Sequence, residues 1–211
     1  RPLRDAPRIS ALISAIGVSF LMANLGLVIF GGRPKTFYRP PIFQTPIELG
    51  GVRVVALFFV IPLLTVILLV ALNYIVYKTK TGLAMRAAQW DFDTARLMGV
   101  DVDRAISITF AIGSALAAVG GIMWGLRFAE INPNMGLFPG LKCFIAAVFG
   151  GIGNISGAVL GGFILGFGEI MLVAFLPGLA GYRDAFAFIV LILILLVRPT
   201  GLLGDKQRVK V

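Results

Sequence analysis

The sequence predicts an all-α, polytopic helical membrane protein with about six membrane segments, one of them short or re-entrant. Of its 211 residues, 58% are hydrophobic and only 14% are charged, whereas soluble domains carry roughly 25% charged residues. The mean hydropathy is +0.96. Several apolar runs approach or exceed the roughly 18–20 residues that a helix needs to cross a bilayer. These three observations together predict a helical membrane protein.

The membrane segments follow one another along most of the chain. Five apolar runs read as spans, and they cover about residues 9–30, 52–77, 104–126, 158–175 and 185–197. A sixth run, 141–149, is only nine residues long, so it predicts a thin, tilted or re-entrant helix. A short helix that ends in an ordinary surface loop is the equal alternative. Lysine and arginine favour the N-terminus inside, because twelve of the nineteen then fall on inner segments.

The composition excludes several kinds of chemistry. The chain has no histidine and a single cysteine, Cys143, so disulfide scaffolds, zinc sites and Cys/His nucleophile pairs are excluded within it. The net charge of +9 comes from basic residues that flank apolar spans, which indicates a lipid bilayer and no nucleic-acid partner. The chain has no G-x-x-x-x-G-K-[ST] phosphate loop, and we expect it to bind no cofactor. Energy for uphill transport would have to come from a partner.

Two features, one inside a span and one between two apolar runs, are candidates for a translocation path. Glu169 lies in the predicted span 158–175, where a carboxylate costs about 2–3 kcal/mol or more unless it faces the bundle or water. It is either a contact for a proton or a substrate amine, or a packing carboxyl bound to a neighbouring helix. Lys142 is expected to extend to the outer membrane interface. The second feature is the glycine-rich break between the short run 141–149 and the span 158–175, and its candidate residues are Gly150, Gly151, Gly153, Asn154 and Gly157.

Glycines and other small residues also recur at every fourth position in several spans. Such stripes allow helix backbones to approach closely. Simple packing of the bundle explains them, and a sliding seam between moving halves is the alternative.

A polar segment, residues 78–104, interrupts the apolar chain. It predicts two short helices, of which the first covers residues 83–88 and continues towards Trp90. The second begins after Asp91 as N-cap and ends at Gly99 in the left-handed conformation, and Asp103 is expected to cap the next span. Phe92, Ala95 and Met98 form a small apolar stripe on the second helix. This pattern fits docking into a groove of another protein, and equally a solvated connection between two spans.

The polar segment resembles the cytoplasmic coupling loop E-A-A-x-x-x-G of ABC importer permeases, with DTARLMG at residues 93–99. Three longer stretches extend the resemblance: GLAMRAAQWDFDTARLMGVDVDR, NPNMGLFPGLKCFIAAVFGGIGNISGAVLGGFILG and YRDAFAFIVLILILLVRPTGLLG. Together they are similar to the LivH-type permeases of branched-chain amino-acid ABC importers. The resemblance implies that the ATPase-coupling residues are Asp93, Thr94, Ala95, Arg96, Met98 and Gly99.

The resemblance also implies what surrounds the chain. Residues 1–211 would form one transmembrane permease domain without the family's further N-terminal helices, with residues 78–104 as its coupling segment. The implied partners are a second homologous permease, two cytoplasmic ATPases that use ATP and Mg²⁺, and a periplasmic amino-acid-binding protein. The implied location is the bacterial plasma (inner) membrane, in a multi-pass arrangement.

The implied activity is not enzymatic: it is import of leucine, isoleucine or valine by alternating access. The alternatives are an ATPase-independent channel or ion-coupled carrier that uses Glu169, an ABC permease for urea, another amino acid or a sugar, and a purely structural membrane partner.

Overall fold

The structure is a computed structural model, and it describes residues 8–43, 45–49, 52–198 and 200–204. The chain divides into two compact units, Arg1–Pro133 and Asn134–Val211.

The first unit contains five helices and two short antiparallel strand pairs. The helices are α1 (Arg8–Phe30), α2 (Leu57–Lys78), α3 (Lys80–Trp90), α4 (Phe92–Leu97) and α5 (Val102–Phe128). The pairs are β1 (Lys35–Thr36) with β4 (Glu130–Ile131), and β2 (Pro46–Leu49) with β3 (Val52–Val55). A 3₁₀ turn covers Pro41–Phe43.

The second unit contains three helices, α6 (Leu137–Gly150), α7 (Ile155–Phe175) and α8 (Arg183–Val197). A 3₁₀ helix, Pro177–Tyr182, joins α7 to α8. The core of this unit consists of Ile145 and Phe149 from α6, Leu165 from α7 and Ala187 from α8.

Within the described residues, five helices are long and apolar enough to cross a membrane. At most 11% of any of these spans is buried inside the chain, so their apolar side chains are available to lipid or to partner helices. Helix α6 has 14 residues, which is about 21 Å of helix against a hydrocarbon core of about 30 Å. The predicted class, a polytopic helical membrane protein with about six segments of which one is short, is confirmed.

Three local predictions in the first unit need correction. The second span begins at Leu57 and not at Val52, because residues 52–55 form a strand paired with residues 46–49. The first short helix is longer than predicted: it begins at Lys80, where the Thr79 hydroxyl accepts a hydrogen bond from the Gly82 N–H at 3.1 Å. The cap of α5 is Asp101, whose Oδ1 accepts from the Arg104 N–H at 3.0 Å, so the prediction of Asp103 was wrong.

Candidate functional sites

Helix α4, in the middle of the polar segment, is capped at both ends. Asp91 Oδ1 accepts hydrogen bonds from the backbone N–H groups of Asp93 at 2.9 Å and Thr94 at 3.2 Å. Gly99 has a φ of +81°, and its N–H donates to the Arg96 carbonyl at 2.9 Å. Left-handed backbone costs glycine no steric penalty, so a six-residue helix ends sharply here. Both predicted caps are confirmed.

The faces of α4 differ from the predicted apolar stripe. Ala95 is only 4% exposed and packs in a cluster with Ala88 of α3 and Val102 of α5. Met98 is 82% exposed, and Leu97, which the sequence analysis did not select, is 88% exposed. The expected face of Phe92, Ala95 and Met98 is therefore wrong as a single docking surface, because its middle residue packs against the chain's own helices.

The other predicted coupling residues remain accessible. Asp93, Thr94, Arg96, Met98 and Gly99 are all exposed. Arg96 Nη1 lies 3.5 Å from Asp93 Oδ1, across less than one helical turn. Exposed pairs of this kind contribute little to stability, so both charges are free to find other partners at little cost.

The helix break between α6 and α7 is built from glycines in two different roles. Gly151 and Gly153 have positive φ values of +110° and +95°, which allow the tight turn. Gly150 and Gly157 bring the two helix backbones into contact, because a Cβ added at either glycine would overlap the carbonyl of the other. Asn154 Oδ1 then caps α7 by accepting from the Gly157 N–H at 2.9 Å.

The segment of residues 200–204 covers this helix break. The N–H groups of Leu202 and Leu203 donate to the carbonyls of Phe149 and Gly150, each at 2.9 Å. Asn154 Nδ2 donates to the Leu203 carbonyl at 3.1 Å. The carbonyls of Phe149 and Gly150, at the end of α6, are thus satisfied by hydrogen bonds from within the chain. This contact was not predicted from the sequence, although Gly201 and Gly204 were a signal that could have indicated it.

Glu169 belongs to a charge cluster formed by Lys142, Glu169, Arg183 and Asp184 from three helices. Lys142 Nζ lies 2.9 Å from Glu169 Oε1 and 2.9 Å from Asp184 Oδ1, and Arg183 Nε lies 3.9 Å from Glu169 Oε2. The Glu169 side chain is only 12% exposed. Glu169 is thus bound to neighbouring helices, and its contact with a proton or a substrate amine stays a prediction. Lys142 binds this carboxylate, and its extension to the outer membrane interface stays a prediction.

The structure does not bring all the path candidates together. Gly150, Gly151, Gly153, Asn154 and Gly157 form one continuous break, whereas Glu169 lies twelve residues beyond Gly157 on the same helix. At 1.5 Å per residue this is about 18 Å. The helix break and the charge cluster therefore lie towards opposite ends of α7.

Five membrane-length helices and a sixth, shorter apolar helix among the described residues are the features of a multi-span helical membrane protein. Residues 3–195 match the family described as "Branched-chain amino acid transport system / permease component", and the chain belongs to this family.

The chain is similar to permeases of transport systems from several organisms. The permease protein LivH of the high-affinity branched-chain amino acid transport system of Escherichia coli K12 is 39% identical over 216 residues, covering 100% of this chain and 69% of the relative. The corresponding BraD of Pseudomonas aeruginosa is 38% identical, with the same coverage. The autoinducer 2 import system permease LsrC of Yersinia pestis is 29% identical, covering 88% of this chain and 53% of that protein. No solved structure matches the chain.

Proposed function

We propose that the chain is the permease subunit of an ATP-driven ABC importer that moves leucine, isoleucine or valine into the cytoplasm by alternating access. The observation that carries the proposal is the 39% identity over the whole chain to permeases named for branched-chain amino acid transport. Residues 1–211 act as one permease domain in this proposal. Its location is the bacterial plasma membrane, with the N-terminus inside.

Partner subunits supply the energy and the substrate. The 211 residues contain no phosphate loop, so ATP and Mg²⁺ bind to two cytoplasmic ATPase subunits. A second homologous permease completes the path, and a periplasmic binding protein delivers the amino acid. Sequence similarity to an autoinducer 2 permease makes the substrate class the point that most needs measurement.

The polar segment is the proposed contact with the ATPases. Its helix α4 is capped at both ends, and it exposes Leu97 and Met98 together with Asp93 and Arg96. A short, fixed helix with an apolar tip and flanking charges fits a groove on another protein. Ala95 holds α4 against α3 and α5, because it packs against Ala88 and Val102.

The test is uptake of radiolabelled leucine into proteoliposomes that contain both permeases, the ATPases and the binding protein. We expect uptake that requires ATP and is lost with an ATPase subunit unable to hydrolyse it. Gly99→Val should reduce uptake at least tenfold, because valine does not tolerate the φ of +81°. Gly113→Val is the matched control, since nothing lies within 4 Å of a Cβ there and the residue is in mid-helix.

Two outcomes would contradict the proposal. Uptake that continues without ATPases and is abolished by Glu169→Gln would indicate an ion-coupled carrier. Normal ATPase binding and uptake in Gly99→Val would indicate that the polar segment only joins two spans. ATP-driven uptake of urea or a sugar, with none of leucine, would keep the importer and change its substrate.

A further inference from the structure

Helix α3 lies where the chain leaves the membrane. It begins at Lys80, one residue after Lys78 ends the membrane-length helix α2. The 22 residues of α2 give a helix of about 33 Å against a hydrocarbon core of about 30 Å, so its end reaches the lipid headgroups. Gly82 holds α3 to that end, because a Cβ there would overlap the carbonyls of Ile75 and Val76.

One face of α3 combines apolar side chains with cations. Four residues at helical spacing share it: Lys80, Leu83, Arg86 and Trp90. Leu83 is 61% exposed and Trp90 is 89% exposed, whereas Ala88, on the opposite side, is 6% exposed and packs with residues of α4 and α5. An exposed tryptophan beside basic residues is typical of a helix that lies in the membrane interface.

The guanidinium of Arg86 has no anionic partner among the residues that the structure describes. Its Cζ lies 5.4 Å from the centre of the Tyr77 ring, and its Nε is buried without an acceptor in the described part of the chain. The two Nη groups are not enclosed in this way. Residues 78–90 contain three cations and no aspartate or glutamate. A phosphate supplies the pair of oxygens that a guanidinium binds best.

We propose that Arg86 binds the phosphate of an anionic phospholipid headgroup, with the exposed ammonium groups of Lys78 and Lys80 beside it. The side chains of Leu83 and Trp90 lie against the first part of the acyl chains. The inference goes beyond the proposed function, since it holds for any transported substrate. In the proposed orientation the lipid belongs to the cytoplasmic leaflet, where anionic headgroups attract basic segments next to a span.

Two observations favour a lipid over a dissolved anion or an acidic protein. A dissolved phosphate leaves Leu83 and Trp90 in water, whereas a phospholipid covers them and supplies the anion at the same time. The apolar window of α2 is 0% buried inside the chain, so the fold leaves the end of this span open to lipid. A phospholipid therefore matches the position, the charge and the apolar part of this face.

The experiment is photo-crosslinking of the assembled importer in nanodiscs of phosphatidylcholine with a small fraction of phosphatidylglycerol. Either lipid carries the photoactivatable group near the start of an acyl chain, and mass spectrometry locates the crosslinks. At residues 77–90 we expect about fivefold more crosslinks from phosphatidylglycerol than from phosphatidylcholine at the same fraction. High salt should reduce this preference, because it screens the exposed cations.

The variants test whether one residue or the general charge selects the lipid. Arg86→Gln should lower phosphatidylglycerol crosslinks at residues 77–90 about fivefold and leave those of phosphatidylcholine unchanged. Arg86→Lys should keep them within about threefold, since lysine retains the charge and loses the two-pronged contact. Arg104→Gln is the matched control, because it removes an exposed cation from the first turn of α5 and should change these crosslinks little.

A second measurement separates a lipid site from a structural role of Arg86. A ligand that binds the folded state raises the melting temperature of a protein. The unmodified importer and Arg86→Gln should melt at similar temperatures in pure phosphatidylcholine. Added phosphatidylglycerol should raise the melting temperature of the unmodified importer and have little effect on the variant.

The proposal is overturned if the two lipids crosslink equally, or if Arg86→Gln and Arg104→Gln lower phosphatidylglycerol crosslinks by the same factor. Absence of crosslinks at residues 77–90 also overturns it, because a partner subunit would then cover this face. Equal effects of phosphatidylglycerol on the melting of the unmodified importer and Arg86→Gln would indicate a structural role. Equal stabilisation by inorganic phosphate in pure phosphatidylcholine would assign the site to a dissolved anion.

Discussion

Asn154 holds the segment 200–204 to the start of α7. Its Nδ2 donates to the Leu203 carbonyl, and its Oδ1 accepts from the Gly157 N–H of α7. One side chain therefore both caps a helix and fixes a segment 49 residues away. The helix break depends on this residue, because glycine turns have no side chains of their own to limit their motion.

We expect Asn154→Ala to lower the stability of the importer by about 1–3 kcal/mol, through the lost cap and the lost bond to Leu203. Asn154→Asp keeps the acceptor and loses the donor, so it should cost about 1 kcal/mol. Thermal unfolding in nanodiscs measures both. Asn24→Ala serves as control because the hydrogen bond that Asn24 donates, among the described residues, goes to the Phe20 carbonyl of its own helix. Equal costs for the alanine and aspartate variants would contradict the double role.

Gly157 and Gly166 lie on the same helix and should respond differently to alanine. A Cβ at Gly157 would overlap the backbone carbonyl of Gly150, which has no flexible side chain to yield. We expect Gly157→Ala to cost about 1–3 kcal/mol or more. Nothing lies within 4 Å of a Cβ at Gly166, so alanine there should be neutral or stabilise the helix by up to about 1 kcal/mol. The same unfolding assay compares them, and a neutral Gly157→Ala would show that the two backbones can separate freely.

Lys142 should matter more for stability than Glu169. Removing it in Lys142→Met leaves the carboxylates of Glu169 and Asp184 with Arg183 as the one cation close by within the described part of the chain, at 3.9 Å from Glu169. Its side chain is 34% exposed, so we expect a loss of about 2–3 kcal/mol, below the 3–5 kcal/mol typical of fully buried pairs. Glu169→Gln keeps an acceptor for Lys142 and should cost about 1 kcal/mol. An apparent melting temperature that is lower for Glu169→Gln than for Lys142→Met would contradict the prediction that Lys142 matters more for stability.

Asp91 and Asp93 allow a test of how α4 is held. Asp91 accepts two backbone hydrogen bonds, so Asp91→Ala should destabilise the helix by about 0.5–2 kcal/mol. Asp93 contacts only the exposed Arg96 among the hydrogen bonds and ion pairs described here, and Asp93→Ala should cost less than about 0.5 kcal/mol. Hydrogen exchange of the amides of residues 93–98 measures both effects. Similar exchange rates in the two variants would show that the cap does not determine the stability of α4.

Local features of the chain were predictable from the sequence, and contacts between distant residues were not. The caps at Asp91 and Gly99 follow from neighbours within a few positions, so their residue types alone indicated them. Asp101 and Asp103 are equally suitable caps two residues apart, and only the backbone decides between them. Val52–Val55 is apolar like the helix that follows, so hydropathy could not separate the strand from the span.

The contacts between distant residues of the second unit could not be predicted from the sequence, because they follow no local pattern. Lys142 and Glu169 are 27 residues apart, and no local pattern pairs them. Leu202 and Leu203 look like ordinary apolar residues, yet their backbone N–H groups satisfy the end of α6. Glu169 was correctly selected as a residue that needs a partner, because a carboxylate in an apolar span is costly wherever it lies.

The small side chains at Ala88, Ala95 and Val102 have a mechanical consequence. Alanine has no side-chain torsion that can change, and valine in a helix has one strongly preferred rotamer. A load applied at the exposed tip of α4 therefore meets a stiff contact, in which no side chain can rotate to absorb the displacement. We therefore expect α3, α4 and the first turn of the 27-residue helix α5 to move together when α4 is displaced.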